Sequence, residues 1–322
     1  MDCTERSVTL WLKPLAPFRL DLTAWALRRY AGNRIDSWQN GVYRRQFYCL
    51  DQPIEVEIRQ CGDSEAPRLH VRARGVTGIT LVQRSCIRAM LRRVLGLDHD
   101  LSAFYAMAAR DPALTPLALR YRGMKPPRFV SLFEALANAI ACQQVSLAAS
   151  ISILGRLAGA LDAHAAEMGT ATFPTPQTVL QTSPEDLRTL GFSRQKARYL
   201  LAAAEAIASG TLHEAALAAL DDAALLRELS RLPGIKRWSA QYVALRGLGR
   251  LSILPVDDIA AHKHLAAWLG LPARLDAAGM QELAARWYPH AGLVYFHLLL
   301  QRLEAAGQLD PTVDTRANEA IA

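Results

Sequence analysis

A chain of 322 residues, 51% hydrophobic and 21% charged, has room for two or three domains and excludes an intrinsically disordered protein. Its formal net charge of +7 favours a polyanionic partner, although charge alone does not separate nucleic acid from a membrane surface. The N-terminus, MDCTERSVTLWLKP, carries charges where a signal peptide needs an apolar core, and no run approaches the roughly 18 apolar residues of a membrane span. A soluble, cytoplasmic protein with no membrane partner is therefore expected. Five cysteines, Cys3, Cys49, Cys61, Cys86 and Cys142, are scattered, odd in number and never spaced C-x-x-C. They argue against a disulfide framework, a zinc site and an iron–sulfur cluster.

In chain order, VTLWLKP, VYRRQFYCLDQPIEVEIRQC and RLHVRARGVTGITLVQR are rich in β-branched and aromatic residues with partial alternation, as strands are. Leu20 to Tyr30 has helical spacing, with Asp21 in position to cap it. Residues 1–86 are thus expected to form a small α+β domain with an antiparallel sheet. From about Ile87 the strand signal stops. CIRAMLRRVLGL and Ala103 to Ala109 predict helices, and RDPALTPLALRYRGMKPPRF, with four prolines, predicts a turn-rich excursion, so 87–127 forms a group of helices and linker against the C-terminal lobe. A helix from Ser131 to Ala141 meets one running from its cap Ser146 to Leu161 across Cys142-Gln143-Gln144-Val145-Ser146. Ser183-Pro184-Glu185-Asp186 opens another helix, and the Leu190-Gly191-Phe192 turn leads into a basic helix with Arg194, Lys196 and Arg198. Three helices, Ala261 to Leu269, Gln281 to Trp287 and Leu293 to Ala305, close a C-terminal lobe at 250–306, and 307–322 reads as a frayed tail. Residues 128–249 make the remaining helical domain.

Within that domain, DDAALLRELSRL runs into Leu232-Pro233-Gly234-Ile235 and then a helix from about Arg237 to Leu248. Pro233 and Gly234 stand where one helix must stop and the next begin, the punctuation of a helix-hairpin-helix. Such a turn points the first N–H groups of the second helix outward, toward a phosphate oxygen, and Lys236, Arg237, Arg246 and Arg250 lie close by. A Gly/Pro-punctuated loop then delivers two carboxylates, Asp257 and Asp258. An ordinary αα-corner followed by a solvated acidic pair fits the same spacing.

LPGIKRWSAQYVALRGLG followed by LPVDD resembles the helix-hairpin-helix, Gly/Pro…Asp signature of the base-excision DNA glycosylases. Trp238 after the hairpin, Tyr242 one turn on, Asp258 20 residues after Trp238, the junction AIACQQVS and the turn LGFSRQKA are similar to the 3-methyladenine-DNA glycosylase II (AlkA-like) branch. The resemblance covers nearly the whole chain and implies a fold class: α+β, with a small N-terminal antiparallel sheet followed by a two-lobed all-α helix-hairpin-helix glycosylase core. It also implies excision of alkylated purines from double-stranded DNA by a monomer, nucleoid-associated on its substrate. Asp258 would be the catalytic carboxylate, stabilising the oxocarbenium ion at C1′ and orienting water. Asp257 is the less favoured of the pair, because the family's Asp sits five residues before a basic position that Lys263 fills only from Asp258. Trp238 stands where the bifunctional branches carry a Schiff-base lysine, which implies simple hydrolysis and an abasic product. Trp238 and Tyr242 share a helix face and would line the base pocket, where a cationic alkylated purine gains roughly 0.5–2 kcal/mol of cation–π attraction.

The resemblance also assigns Gly234, Ile235, Lys236 and Arg237 to DNA binding at the hairpin, and Gln143 and Gln144 to the junction that wedges into the duplex. Gln144 replaces the leucine of some relatives, and His290, in Trp287-Tyr288-Pro289-His290, replaces an aromatic of the pocket wall that Tyr288 or Trp287 could supply instead. Trp25 is expected to reach the pocket from the N-terminal domain. The backbone carbonyls of Ser230, Leu232 and Ile235 are the implied ligands of a monovalent cation, with no other cofactor. His262 and His264 lack partners at metal-ligand spacing and read as solvated helix residues. Two alternatives remain: a relative acting on oxidised, deaminated or mismatched bases, and a non-enzymatic helix-hairpin-helix DNA-binding module.

Overall fold

The computed structural model describes residues 6–50, 52–162, 170–257, 259–271 and 275–309, and the side chains of all of these except 259–261, 263 and 277. Within them β1 (Ser7–Leu12), β2 (Asp36–Gln39), β3 (Val42–Cys49), β4 (Gln52–Cys61) and β5 (Arg68–Gly75) form an antiparallel sheet in the order β1-β5-β4-β3-β2. Alternation sets its faces: along β5 Leu69, Val71 and Ala73 are buried while Arg68, Arg72 and Arg74 are exposed. Asn40 and Gly41, both at positive φ, make the two-residue turn between β2 and β3.

Helix α1 (Leu20–Arg28) is buried on every side. Leu20, Ala24 and Leu27 enter the core beneath the sheet, whereas Leu22, Trp25 and Ala26 enter the core of the C-terminal lobe. Asp21 does not cap it. The helix already begins at Leu20, whose N–H is taken by Gln60 Oε1 at 2.8 Å, and the Asp21 carboxylate pairs with Arg19 instead.

Helix α2 (Leu81–Val94) starts earlier than its hydrophobic pattern suggested. Thr80 Oγ1 accepts the Gln83 N–H (3.2 Å) and Gln83 Oε1 accepts the Thr80 N–H (2.9 Å), a capping box that turns a strand-like GITLVQR into a helix start. The limit drawn at residue 86 therefore falls inside a helix. After α3 (Ser102–Ala108), the proline-rich stretch expected as a linker carries α4 (Leu114–Arg120), with Pro116 tolerated in its first turn. Leu114, Leu117, Tyr121 and Met124 pack into the C-terminal core.

The helical body comprises α5 (Leu132–Cys142), α6 (Leu147–Leu161), α7 (Pro176–Leu180), α8 (Pro184–Thr189), α9 (Arg194–Ala208), α10 (Glu214–Ala218), α11 (Asp222–Leu229) and α12 (Arg237–Arg246). Ser131, Ser146, Ser183, Ser193 and Asp221 each accept a backbone N–H three residues on, so local capping fixes where five of these helices begin. The C-terminal lobe is built by α13 (Ile259–Trp268), α14 (Ala277–Arg286) and α15 (Ala291–Ala305). Beyond α15 the chain does not fray at once: Gln308 Oε1 accepts the Ala31 N–H (3.2 Å) and Leu309 is buried. Residues 310–322 lie outside the described residues. None of the described helices is long and apolar enough to cross a membrane.

Candidate functional site

The turn between α11 and α12 is built from its own backbone. Leu232 N–H donates to Leu229 O (3.2 Å) and Ile235 N–H to Leu232 O (3.1 Å), with Gly234 at φ 79 between them. Glycine is required there twice over, since the backbone is left-handed and a Cβ would lie 2.1 Å from the Tyr199 ring of α9. Ile235 is buried and anchors the turn, Lys236 precedes α12 in an extended conformation, and the side chains of Lys236 and Arg237 are exposed. The N–H groups of the first turn of α12 precede its hydrogen-bonded ladder, which the Ala240 N–H on Lys236 O begins. Of the three carbonyls named for a cation, that of Leu232 already accepts the Ile235 N–H.

The α5–α6 junction is fastened to this turn. Gln143 Nε2 donates to Gly234 O (2.8 Å) and Ser239 Oγ (3.1 Å), and Lys196 Nζ holds the C-terminal end of α5 through Ala141 O (2.8 Å). Gln144, at φ 56, and Val145 are exposed at the tip of the junction. The two glutamines thus divide the labour: one ties the junction to the hairpin and the other stands out from it.

Trp238 and Tyr242, one turn apart on α12, are stacked with ring centroids 5.4 Å apart at 27°. Tyr242 is buried and Trp238 half-buried, and the Trp238 Nε1–H, itself buried, meets no acceptor among the described residues. Behind them lies a residue that sequence reasoning passed over. Arg29, the left-handed residue that ends α1 (φ 62), donates Nη1 to Tyr242 Oη (2.6 Å) and Nη2 to Asn138 Oδ1 (2.5 Å) on α5. Arg246, wholly buried at the far end of α12, lies 6.0 Å from the Tyr242 ring and 5.0 Å from those of Phe129 and Phe296. Burial pulls its pKa down to about 10. It spends Nη2 on Ala26 O (2.8 Å), while Nε and Nη1 have no partner among the described residues.

A second buried network supports α5 from the sheet. Arg45 on β3 bridges Asp36 (2.7 Å) and Glu134 (2.6 Å), and Tyr43 Oη donates to Asp36 Oδ1 (2.7 Å). Burial raises the Glu134 carboxyl above its usual range, with Arg45 opposing.

The remaining candidates are placed elsewhere. Trp25 packs in the C-terminal core with the Arg28 guanidinium 4.8 Å over its ring, and Arg29, one helical turn further on, is the residue that touches Tyr242. His290 precedes α15 beside Phe104 (6.2 Å) and lines a surface cavity with Asp111, Trp287 and Tyr288. Asp257 is exposed and faces Arg237 at 3.6 Å, a surface pair of small energetic worth. Asp258 lies outside the described residues, as does the side chain of Lys263. The loop that leads to Asp258 is held on both sides: Gln241 Oε1 accepts the Val256 N–H (3.2 Å), and Val256 O meets His262 Nε2. His262 is therefore not solvated. It is buried, with Nδ1 2.9 Å from Leu275 O, and clamps the loop to the backbone just before α14. Among the described residues no group of three His, Cys, Asp or Glu side chains is placed to hold a metal.

The HhH-GPD family, described as the HhH-GPD superfamily of base excision DNA repair proteins, matches residues 137–290. A DNA-3-methyladenine glycosylase of Bacillus subtilis is 30% identical over 51% of this chain and 54% of its own length. DNA-3-methyladenine glycosylase 2 of Escherichia coli is 28% identical over 58% of this chain and 63% of its own length. The chain thus spans less than two thirds of either relative. The solved structure of a 3-methyladenine DNA-glycosylase from Archaeoglobus fulgidus superposes with a TM-score of 0.76, covering 94% of this chain and all of that one at 21% identity, and shares the fold.

Proposed function

We propose, from the match of residues 137–290 to the HhH-GPD superfamily of base excision DNA repair proteins, that this chain is a DNA glycosylase that removes alkylated purines from double-stranded DNA by hydrolysis. The observation that carries the reading is the placement of the Trp238–Tyr242 stack on the helix that begins at the hairpin turn, with Gln143 tying the α5–α6 junction to that same turn. A phosphate-binding turn, a wedge and an aromatic wall are thereby held as one body.

In this mechanism the hairpin N–H groups, with Lys236 and Arg237, receive a phosphate near the lesion. A monovalent cation on the carbonyls of Ser230, Leu232 and Ile235 would strengthen the contact. Gln144 enters the stack as the damaged nucleotide leaves it, offsetting a few kcal/mol of unstacking. The extruded base lies against Trp238 and Tyr242. Asp258 faces C1′ of the sugar, stabilises the positive charge that grows as the C1′–N bond breaks, and orients the water whose oxygen bonds to C1′. No lysine stands at position 238, so the product is an abasic site and not a protein–sugar Schiff base.

The test is release of free base from methylated duplex DNA, by the wild type and by Asp258→Asn. A loss of about 100- to 1,000-fold in the variant is expected. Equal release by both refutes the role of Asp258, tight binding without release favours a binding module, and a borohydride-trapped adduct refutes simple hydrolysis.

A further inference from the structure

We propose that the outer face of the five-stranded sheet is a second DNA-binding surface, which takes the phosphate backbone of a duplex segment other than the one at the hairpin. The inference goes beyond excision of a base; it rests on the hairpin reading only in calling this surface the second.

Strand alternation builds the surface. One face of the sheet sends Leu10, Val56, Ile58 and Val71 into the same core as Ile235 of the hairpin and Tyr242 of α12. Trp11, Arg59, Arg68 and Arg72 alternate with these and are exposed on the other face, with Lys13 just beyond β1. That face therefore looks away from the hairpin. The register gathers its side chains, since Trp11 is opposite His70, His70 opposite Arg59, and Arg72 opposite both Thr9 and Glu57.

Its charge is one-sided. The carboxylates of this face, Glu55 and Glu57, are paired with Arg74 (3.0 Å) and Arg44 (2.7 Å). The Arg44 hydrogen bond, with Arg72 and Arg59 close by, holds the Glu57 carboxyl below its usual range. Lys13, Arg59, Arg68 and Arg72 make no ion pair among the described residues. In the β4–β5 turn, Glu65 is spent on Arg122 (3.2 Å), and Asp63 Oδ1 accepts the N–H groups of Glu65 and Ala66. Asp2, Glu5, Asp51 and Glu167 lie outside the described residues. The described residues that flank them are at the opposite end of the strands: Arg6 O accepts the Gly75 N–H, Leu50 follows β3, and Thr170 O accepts from Gln46.

Arg68 is also held in place. Its guanidinium lies 4.8 Å over the Trp11 ring, which His70 meets edge-on at 5.0 Å. A guanidinium fixed before binding loses less freedom on meeting a phosphate.

The shape suits a duplex backbone. At about 3.4 Å per residue, Arg68 and Arg72 on β5 stand about 14 Å apart. A duplex presents one phosphate charge per about 1.7 Å of its axis, so several fall within that reach. Single strands need successive aromatic platforms, and a bilayer needs apolar side chains to insert. Among the described residues these strands expose one large apolar side chain, Trp11, and Arg68 already covers its ring. With a site on each side, the protein passes from one duplex to another without first dissociating.

The experiment immobilises one undamaged duplex and measures capture of a second, labelled duplex by the bound protein at low salt. The wild type is expected to capture it, and Arg59→Ser/Arg68→Ser/Arg72→Ser to capture about tenfold less. These side chains are exposed, so base release from a short methylated duplex should stay within about twofold of wild type. Lysine at the same three positions keeps the charge and should retain most of the capture. With the hairpin disabled by Lys236→Glu and Arg237→Glu, residual duplex affinity should fall steeply with salt, and the three serines should abolish it. No capture by the wild type, or equal capture by the wild type and the serine variant, overturns the inference. Preferential capture of single-stranded DNA, or binding of phosphatidylglycerol vesicles in place of duplex, overturns it too by naming another occupant. Absence of base release from every variant counts against the glycosylase reading alone.

Discussion

The hairpin turn and the proposed pocket wall are carried by one short helix, yet they are made in opposite ways. The turn is mostly local: residues 229–236 supply its internal bonds, and from afar come the Tyr199 ring packed against Gly234 and the Gln143 amide on the Gly234 carbonyl. The wall is assembled from afar, since Arg29 is 213 residues from Tyr242 and 109 from Asn138. The turn presents backbone groups to water, whereas the wall buries charged side chains that need partners from three separate elements. On the proposed function, the local, backbone-built feature would bind what every DNA has, and the distant, side-chain-built one would discriminate among bases.

The contrast can be broken first at the buried end. Glu134→Ala leaves Arg45 with Asp36 as its one carboxylate partner among the described residues, and a loss of about 3–5 kcal/mol in unfolding free energy is expected from denaturant titration. Next comes pH. His297 donates Nδ1–H to Leu293 O (2.8 Å) in the C-terminal core, and burial holds its pKa down to about 4. The unfolded chain takes up a proton near pH 6.5 that the folded one refuses, so stability contributed by neutral His297 is lost as pH falls from about 6.5 to about 4, by up to about 3 kcal/mol. His297→Gln should flatten that slope in thermal melts across the window. At the hairpin, Gly234→Ala forces Tyr199 aside and a left-handed alanine, costing about 2 kcal/mol; weaker binding to undamaged duplex should accompany it. The smallest effect belongs to Gln143→Ala, about 1 kcal/mol, read as a faster-opening α5–α6 junction in hydrogen exchange.

The same division explains what could be read in the chain. Ser146 and Ser183 cap the helices expected of them because a cap is a bond between neighbours. The turn at Pro233-Gly234 was legible for that reason. Thr80 and Gln83 are equally local, but Leu81 and Val82 beside them mimic a strand, and the start of α2 was misplaced. Arg29 gave no signal at all. In sequence it is the basic end of an amphipathic helix, and nothing local says that α1 has a second buried face. Trp25 is the prominent residue there, and Arg29, one turn further on, is the one that bonds Tyr242. His262 failed similarly, since its carbonyl partners at Val256 and Leu275 do not announce themselves in a sequence.

The two buried faces of α1 also bear on the order of assembly. Its contacts with Tyr242 and with α15 close loops of more than two hundred residues, whereas the hairpin closes loops of a few. A chain caught partway through folding is therefore expected to own its hairpin turn, the proposed phosphate site, well before it owns the proposed base pocket. It would grip DNA before it could choose a base.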